Sequence, residues 1–141
     1  RKTVPQVPES FYENGFGAVR RALSAAQVTE VRAEIARLVA ADWPGCPRAN
    51  IFYQDVNNKE SLKQVQQVHR YSELLLSIAE TVVKPMAEAI FESGKADLEN
   101  SQLFNKPPKG LSGETPWHQV TSSRFDGFLL LCVRFLSDES E

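Results

Sequence analysis

A chain of 141 residues is long enough for one domain with a real hydrophobic core, and 42% hydrophobic with 24% charged residues is an ordinary globular composition. A net charge of −2, with both signs interspersed, excludes the electrostatic footprint of a nucleic-acid binder and a polybasic membrane patch. The two cysteines, Cys46 and Cys132, lie far apart without Cys-x-x-Cys spacing, which excludes a zinc ribbon or dithiol motif and leaves two free thiols, one in a loop and one in a core strand.

Free thiols suit a reducing compartment, and residues 1–5 carry no apolar leader, so a cytoplasmic location is expected. The longest apolar run, Phe128 to Cys132 continued by Val133, Phe135 and Leu136 around Arg134, is well short of the ~20 residues a membrane helix needs. The first residue is not Met, and Glu141 follows an acidic stretch without a terminal cap. Both ends read as cut, and the expectation is a single, incomplete domain over residues 1–141.

In chain order, residues 1–10 read as an irregular lead-in with Pro5 and Pro8. Asn14-Gly15 marks a turn, because both residues tolerate positive φ. Phe16 to Arg20 is expected as a short strand with Val19 inward. Ser24-Ala25-Ala26-Gln27 is a capping box that opens a helix. Val28, Val31, Ile35, Leu38 and Val39 form its apolar face, with Glu30, Arg32, Glu34 and Arg37 mostly outward. Trp43-Pro44-Gly45 ends it, since proline cannot continue the amide ladder.

Residues 44–50 read as a loop, Ile51 to Gln54 as a strand, Asn57-Asn58 as a turn, and Leu62 to Val68 as the partner strand. Leu62, Gln64 and Gln66 share one face of that partner and Lys63, Val65 and Gln67 the other, so neither face is cleanly apolar. Ser72 caps a second helix with Leu75, Ile78, Ala79 and Val82 as its stripe. Pro85 suits the first turn of a third, carrying Met86, Ala89 and Ile90. Gly94 suits the left-handed position that closes it. Leu98 to Lys106 is expected as a strand with Gln102, Phe104 and Lys106 on one face. Pro107-Pro108 breaks it, and Thr115 to Thr121 resumes extended structure. Phe125-Asp126-Gly127 turns the chain into the apolar strand 128–136. Helices mixed with a hairpin, then strands alone, give an α+β fold.

The residues that could carry chemistry gather around His118. A lone histidine on a strand is more often structural than functional. Its neighbourhood distinguishes it: Trp117 and Gln119 flank it and Lys106 ends the preceding strand, so aromatic, amide, cation and imidazole come together as in a ligand pocket. For Lys106 alone, a solvated end-of-strand lysine is the ordinary alternative. His69, between Val68 and Arg70, reads as a surface or capping residue. Glu30/Glu34 and Asp138/Glu139 read as solvated charge faces.

The run Ser101-Gln102-Leu103-Phe104-Asn105-Lys106-Pro107-Pro108, a glycine-containing turn, and Thr115-Pro116-Trp117-His118-Gln119 together resemble the phytanoyl-CoA dioxygenase family. The opening Phe11-Tyr12-Glu13-Asn14-Gly15-Phe16 and the helix begun at Leu23-Ser24 resemble the family's start, so the likeness covers roughly residues 9–119. It implies an iron(II)- and 2-oxoglutarate-dependent oxygenase acting on a small organic or acyl substrate. It also implies a double-stranded β-helix, a jelly roll, backed by N-terminal helices. His118 would be the first iron ligand. Lys106 and Gln102 would line the co-substrate side, and Trp117 and Gln119 would shape the pocket.

The sequence departs from the family's His-x-Asp pattern. Position 120 is Val, whose isopropyl group cannot coordinate iron, and no histidine comes after His118. Halogenating relatives replace that aspartate with a small residue, but Val120 is bulkier than a halide site wants. The stretch 120–141 does not continue the likeness. Splicing, a reading-frame change, a deletion, a join across missing residues or plain divergence would each produce such a tail.

Two readings are left open. In one the complete protein is the oxygenase and this polypeptide is inactive; in the other it is a non-catalytic jelly-roll binding or interaction domain. An incomplete jelly roll would expose sheet edges, so oligomerisation through them is expected.

Overall fold

The computed structural model describes residues 8–91 and 94–105. Among them the chain runs through α1 (Ser10–Asn14), α2 (Ala25–Ala40), the hairpin β1 (Ile51–Tyr53) and β2 (Leu62–Gln66), α3 (Glu73–Ile78), a π turn (Ala79–Val83), α4 (Lys84–Ile90) and β3 (Gln102–Phe104). The strands form an antiparallel sheet in the order β1-β2-β3. Helices plus one small antiparallel sheet are the α+β class expected.

The long helix begins and ends as its sequence dictates. Ser24 Oγ accepts from the Gln27 amide at 3.2 Å, and the Gln27 side chain accepts from the Ser24 amide at 2.9 Å, so the capping box is complete. At the other end Asp42 takes a left-handed conformation, φ 55°. The Asp42 amide bonds to the Val39 carbonyl at 3.1 Å, and the Trp43 amide reaches back to the Leu38 carbonyl at 2.8 Å. This is a Schellman closure with aspartate where glycine is usual. It drops Trp43 onto Leu38, and both are fully buried.

Leu38 and Trp43 form the core with Ile51, Leu62, Val65 and Val68, and Cys46, Tyr53, Leu75 and Leu103 pack around it. The core residues of the second strand lie three apart, a spacing that a regular strand of period two cannot bury on one side. Two irregularities resolve this. The pairing shifts between Phe52 and Tyr53, so that Tyr53 faces Leu62 while Ile51 faces Val65. At the far end Gln67 turns left-handed, φ 60°, and sends Val68 back into the core. The strand therefore stops at Gln66, not Val68.

The hairpin loop is fastened by Ser61, which is fully buried. Its Oγ accepts from the Asp55 amide at 2.9 Å and sits within donating distance of the Asn58 and Asp55 carbonyls, at 2.7 and 2.8 Å. Asn58 caps the short turn before it by accepting from the Glu60 amide at 3.0 Å.

Other expectations are corrected. Phe16 to Arg20 is not a strand: it pairs with nothing in the sheet, and Phe16 is 74% exposed. Residues 10–14, expected as irregular or turn, form a helical turn closed by Gly15 at φ 75°. Residues 48–50 of the expected loop form a 3-10 turn. The second and third helices are continuous through the π turn. Pro85, just past it, has no amide to donate, and its ring would press on the carbonyl four residues earlier in a regular helix; a wider turn relieves both. Met86 and Ala87, not Ala89, are the buried residues of α4. Gly94 does take the left-handed position, φ 64°. Strand β3 is confined to Gln102–Phe104 within the span expected to be extended.

Candidate functional site

Of the site residues expected from sequence, Gln102 falls within the described residues. Lys106, Trp117, His118 and Gln119 lie outside them, as do the expected strands 115–121 and 128–136 and the second thiol, Cys132. Gln102 sits on β3 opposite Gln66, and the Gln64 side-chain amide donates to its Oε1 at 2.7 Å. Register fixes what shares that face. Phe52 lies opposite Gln64, and Gln64 opposite Phe104, so Phe52, Gln64 and Phe104 make a row across all three strands. The pairing of Gln66 with Gln102 makes a second row beside it.

This is the outer face of the sheet. Phe52 is 40% and Phe104 65% exposed, while Leu103, between Gln102 and Phe104, packs inward on the core. The alternation expected for the third strand, with Gln102 and Phe104 on one side and Leu103 on the other, is what the structure has. The chain leaves β3 at Asn105, whose amide donates to the Lys63 carbonyl and whose side chain donates to the Leu62 carbonyl, each at 2.9 Å. These bonds anchor Asn105, the residue after β3, to β2.

A second polar cluster lies where β3 begins. Ser101 Oγ accepts from the His69 backbone amide at 3.0 Å and stands 2.5 Å from the ring Nδ1. With the ring neutral, the hydroxyl donates to Nδ1 in the Nε2–H tautomer and accepts from it in the Nδ1–H tautomer. Burial and the neighbouring Arg70 push the His69 pKa down, which favours that neutral form. His69 is therefore half-buried and ties the end of β2 to β3, in place of the surface or capping role expected from sequence. An open cleft of about 680 Å³ lies beside it, lined by Arg70, Tyr71, Glu73 and Gly45 among others.

Glu34 is also corrected. The sequence suggests a solvated charge, but the side chain is 16% exposed. It accepts from Arg37 at 2.7 and 2.8 Å and from Ser72 Oγ at 2.8 Å. These bonds, Arg37 first, hold its carboxyl at about 2. Ser72 in turn accepts from the Leu75 amide at 3.3 Å, so one hydroxyl caps α3 and joins it to α2. Glu34 and Ser72 stand 38 residues apart, so no local pattern in the sequence signals their bond. Cys46 is free and half-buried, and burial raises its pKa, away from a reactive thiolate.

Among the described residues no three His, Cys, Asp or Glu side chains gather as a metal site, and no helix is long and apolar enough to cross a membrane. A family model described as Phytanoyl-CoA dioxygenase (PhyH) matches residues 11–123. No curated protein and no solved structure matches the chain.

Proposed function

The chain belongs to the phytanoyl-CoA dioxygenase family, and from that premise we propose that it carries the scaffold half of an iron(II)- and 2-oxoglutarate-dependent oxygenase. The observation that carries the reading is the extent of the family match, which includes both β3 and His118. In this reading the sheet of the described residues is one part of a jelly roll. Gln102, and Lys106 just past its end, face the co-substrate, and Trp117 and Gln119 shape the pocket around the ligand His118. The complete enzyme would hydroxylate a small organic or acyl molecule. Iron bound by two imidazoles and a carboxylate supplies the oxygen chemistry in such enzymes.

The donor set of this polypeptide does not fit that metal. Valine at 120 offers no ligand, and the other histidine, His69, already spends Nδ1 on Ser101. One imidazole cannot make the three-ligand face that ferrous iron needs. We therefore infer that the polypeptide of this sequence does not turn over 2-oxoglutarate. Incubated with iron(II), ascorbate and 2-oxoglutarate, it should form succinate no faster than buffer, and His118→Ala should change nothing. Succinate above background that His118→Ala abolishes would overturn the inactivity.

Val120 also favours the second reading, a non-catalytic binding domain. It predicts 2-oxoglutarate or a related dicarboxylate binding without turnover, measurable by calorimetry and weakened by Lys106→Ala.

A further inference from the structure

The bond between Gln64 and Gln102 crosses from one row of the outer face to the next and lies exposed to water, which competes for both amides, so it holds little of the fold together. Its consequence is for the end of Gln102 that is left to a ligand. Glutamine carries a carbonyl oxygen that accepts and an amino group that donates two hydrogen bonds. In Gln102 the carbonyl is taken by Gln64 Nε2 at 2.7 Å, and the amino group has no partner among the described residues. We propose that Gln64 is a positioning residue, which turns the Gln102 amide so that its N–H donors meet a ligand carboxylate. The proposal rests on the reading above in which Gln102 faces the co-substrate, and it specifies the chemistry of that contact.

Register gives Gln64 this reach. It stands between Phe52 and Phe104 in one row, so an aromatic residue flanks it on each neighbouring strand. Gln102 is its diagonal neighbour, two residues before Phe104 on β3, a separation that long side chains span. Both strands are pinned at this place from the other side: Leu103, between Gln102 and Phe104, packs on the core, and Val65, next to Gln64, is fully buried. Backbones held on the inner face thus set the spacing of the two amides on the outer one. An unbonded glutamine on an exposed face samples several rotamers and both directions of its amide, and must surrender that freedom when a ligand binds. Gln102, held through its carbonyl, has surrendered much of it in advance. Such preorganisation of one side chain is worth about two- to tenfold in affinity. The same bond sets selectivity. With its donors forward, Gln102 suits a carboxylate oxygen and opposes an ammonium group, which can only donate.

The test is a double-mutant cycle on the full chain, read as the Kd for 2-oxoglutarate by calorimetry. Gln64→Met keeps the length of the side chain and removes its amide. It should weaken binding about two- to tenfold without lowering the urea midpoint. Gln102→Met should weaken binding at least as much. The double variant should bind no more weakly than Gln102→Met alone, because Gln64 acts only through Gln102. Losses that multiply in the double variant would overturn the proposal, as would a Gln64→Met chain that binds as the wild type does. The side-chain amide signals of Gln102 in nitrogen-edited NMR spectra give a readout that a purely structural role for Gln64 would not move. They should shift when 2-oxoglutarate is added to the wild type, and in Gln64→Met they should lie at the positions of an unordered glutamine before any ligand is added. If the wild-type chain binds no 2-oxoglutarate, the reading beneath the proposal falls and takes the proposal with it. Binding that Lys106→Ala weakens and Gln64→Met does not would leave that reading standing and overturn the role of Gln64 alone.

Discussion

On the inner face of the sheet Val65 is completely buried and Ile51 nearly so; on the outer face Phe104 keeps 65% of its surface in solvent although it is adjacent to the inward-packed Leu103. The inner side meets a helix whose two ends are both closed by specific bonds, and the helix drops a tryptophan onto it. Among the described residues, the outer side has a pair of bonded glutamines between its aromatics. This contrast marks where the described residues are self-sufficient. The core between α2 and the hairpin is complete. The outer surface presents what a further layer would cover, and it is the surface that carries Gln102.

Breaking the inner face should do the most damage. Trp43→Ala removes the largest fully buried side chain and should destabilise by ~3–5 kcal/mol, seen as a lower urea midpoint. Trp43→Phe should cost far less than that, because the indole Nε1 has no hydrogen-bond partner among the described residues to lose. Equal losses for the two variants would show that the indole nitrogen is bonded after all.

Next comes the polar link between α2 and α3. Ser72→Ala removes the cap and leaves Glu34 with Arg37 alone, and should cost ~1–2 kcal/mol in the same unfolding assay. The pH dependence comes from the groups involved. Glu34 is ordinarily at 4.5 and is held at about 2 in the folded chain, so the unfolded chain binds its proton first as pH falls. Its contribution is complete above pH 4.5 and is lost between there and about 2. His69 is pushed below its ordinary 6.5, so the unfolded chain also takes up that proton first, and stability starts to fall below pH 6.5. Urea midpoints tracked downward from about pH 8 should therefore decline in two stages. Glu34→Gln should flatten the lower stage and His69→Phe the upper.

The outer rim should respond least. Gln102→Ala should change stability by no more than about 0.5 kcal/mol, because its bond to Gln64 is solvent-exposed. A larger loss in the full chain would place Gln102 under cover and sharpen the contrast between the faces.

The sequence makes some of this readable and hides the rest for identifiable reasons. Ser24 and Gln27 announce the start of α2 by chemistry confined to one turn. Trp43-Pro44 announces its end, though the left-handed Asp42 that makes the stop does not show in the residue type. The hairpin is visible through Asn57-Asn58 and its flanking apolar runs. Its irregularities are not, but the awkward spacing of Leu62, Val65 and Val68 is the trace they leave. The expected strand at 16–20 fails because local preference cannot supply a partner. Pro85 does sit in a first helical turn, yet proline alone does not tell a break from a π turn. Of the candidate site, Gln102 and the alternation of its strand are legible from period two. What surrounds it depends on chain segments distant in sequence, which no local pattern encodes.

The π turn at 79–83 bears on how the chain tolerates insertions and deletions. It is one residue longer than an ordinary turn, and that surplus sets the rotational phase of α4 relative to α3. Deleting Glu80 would wind the segment tighter and swing α4 by about 100° around the axis. Met86 and Ala87 would then rotate out of the interior even though neither had been altered. Length, at this place in the chain, should prove harder to change than chemistry.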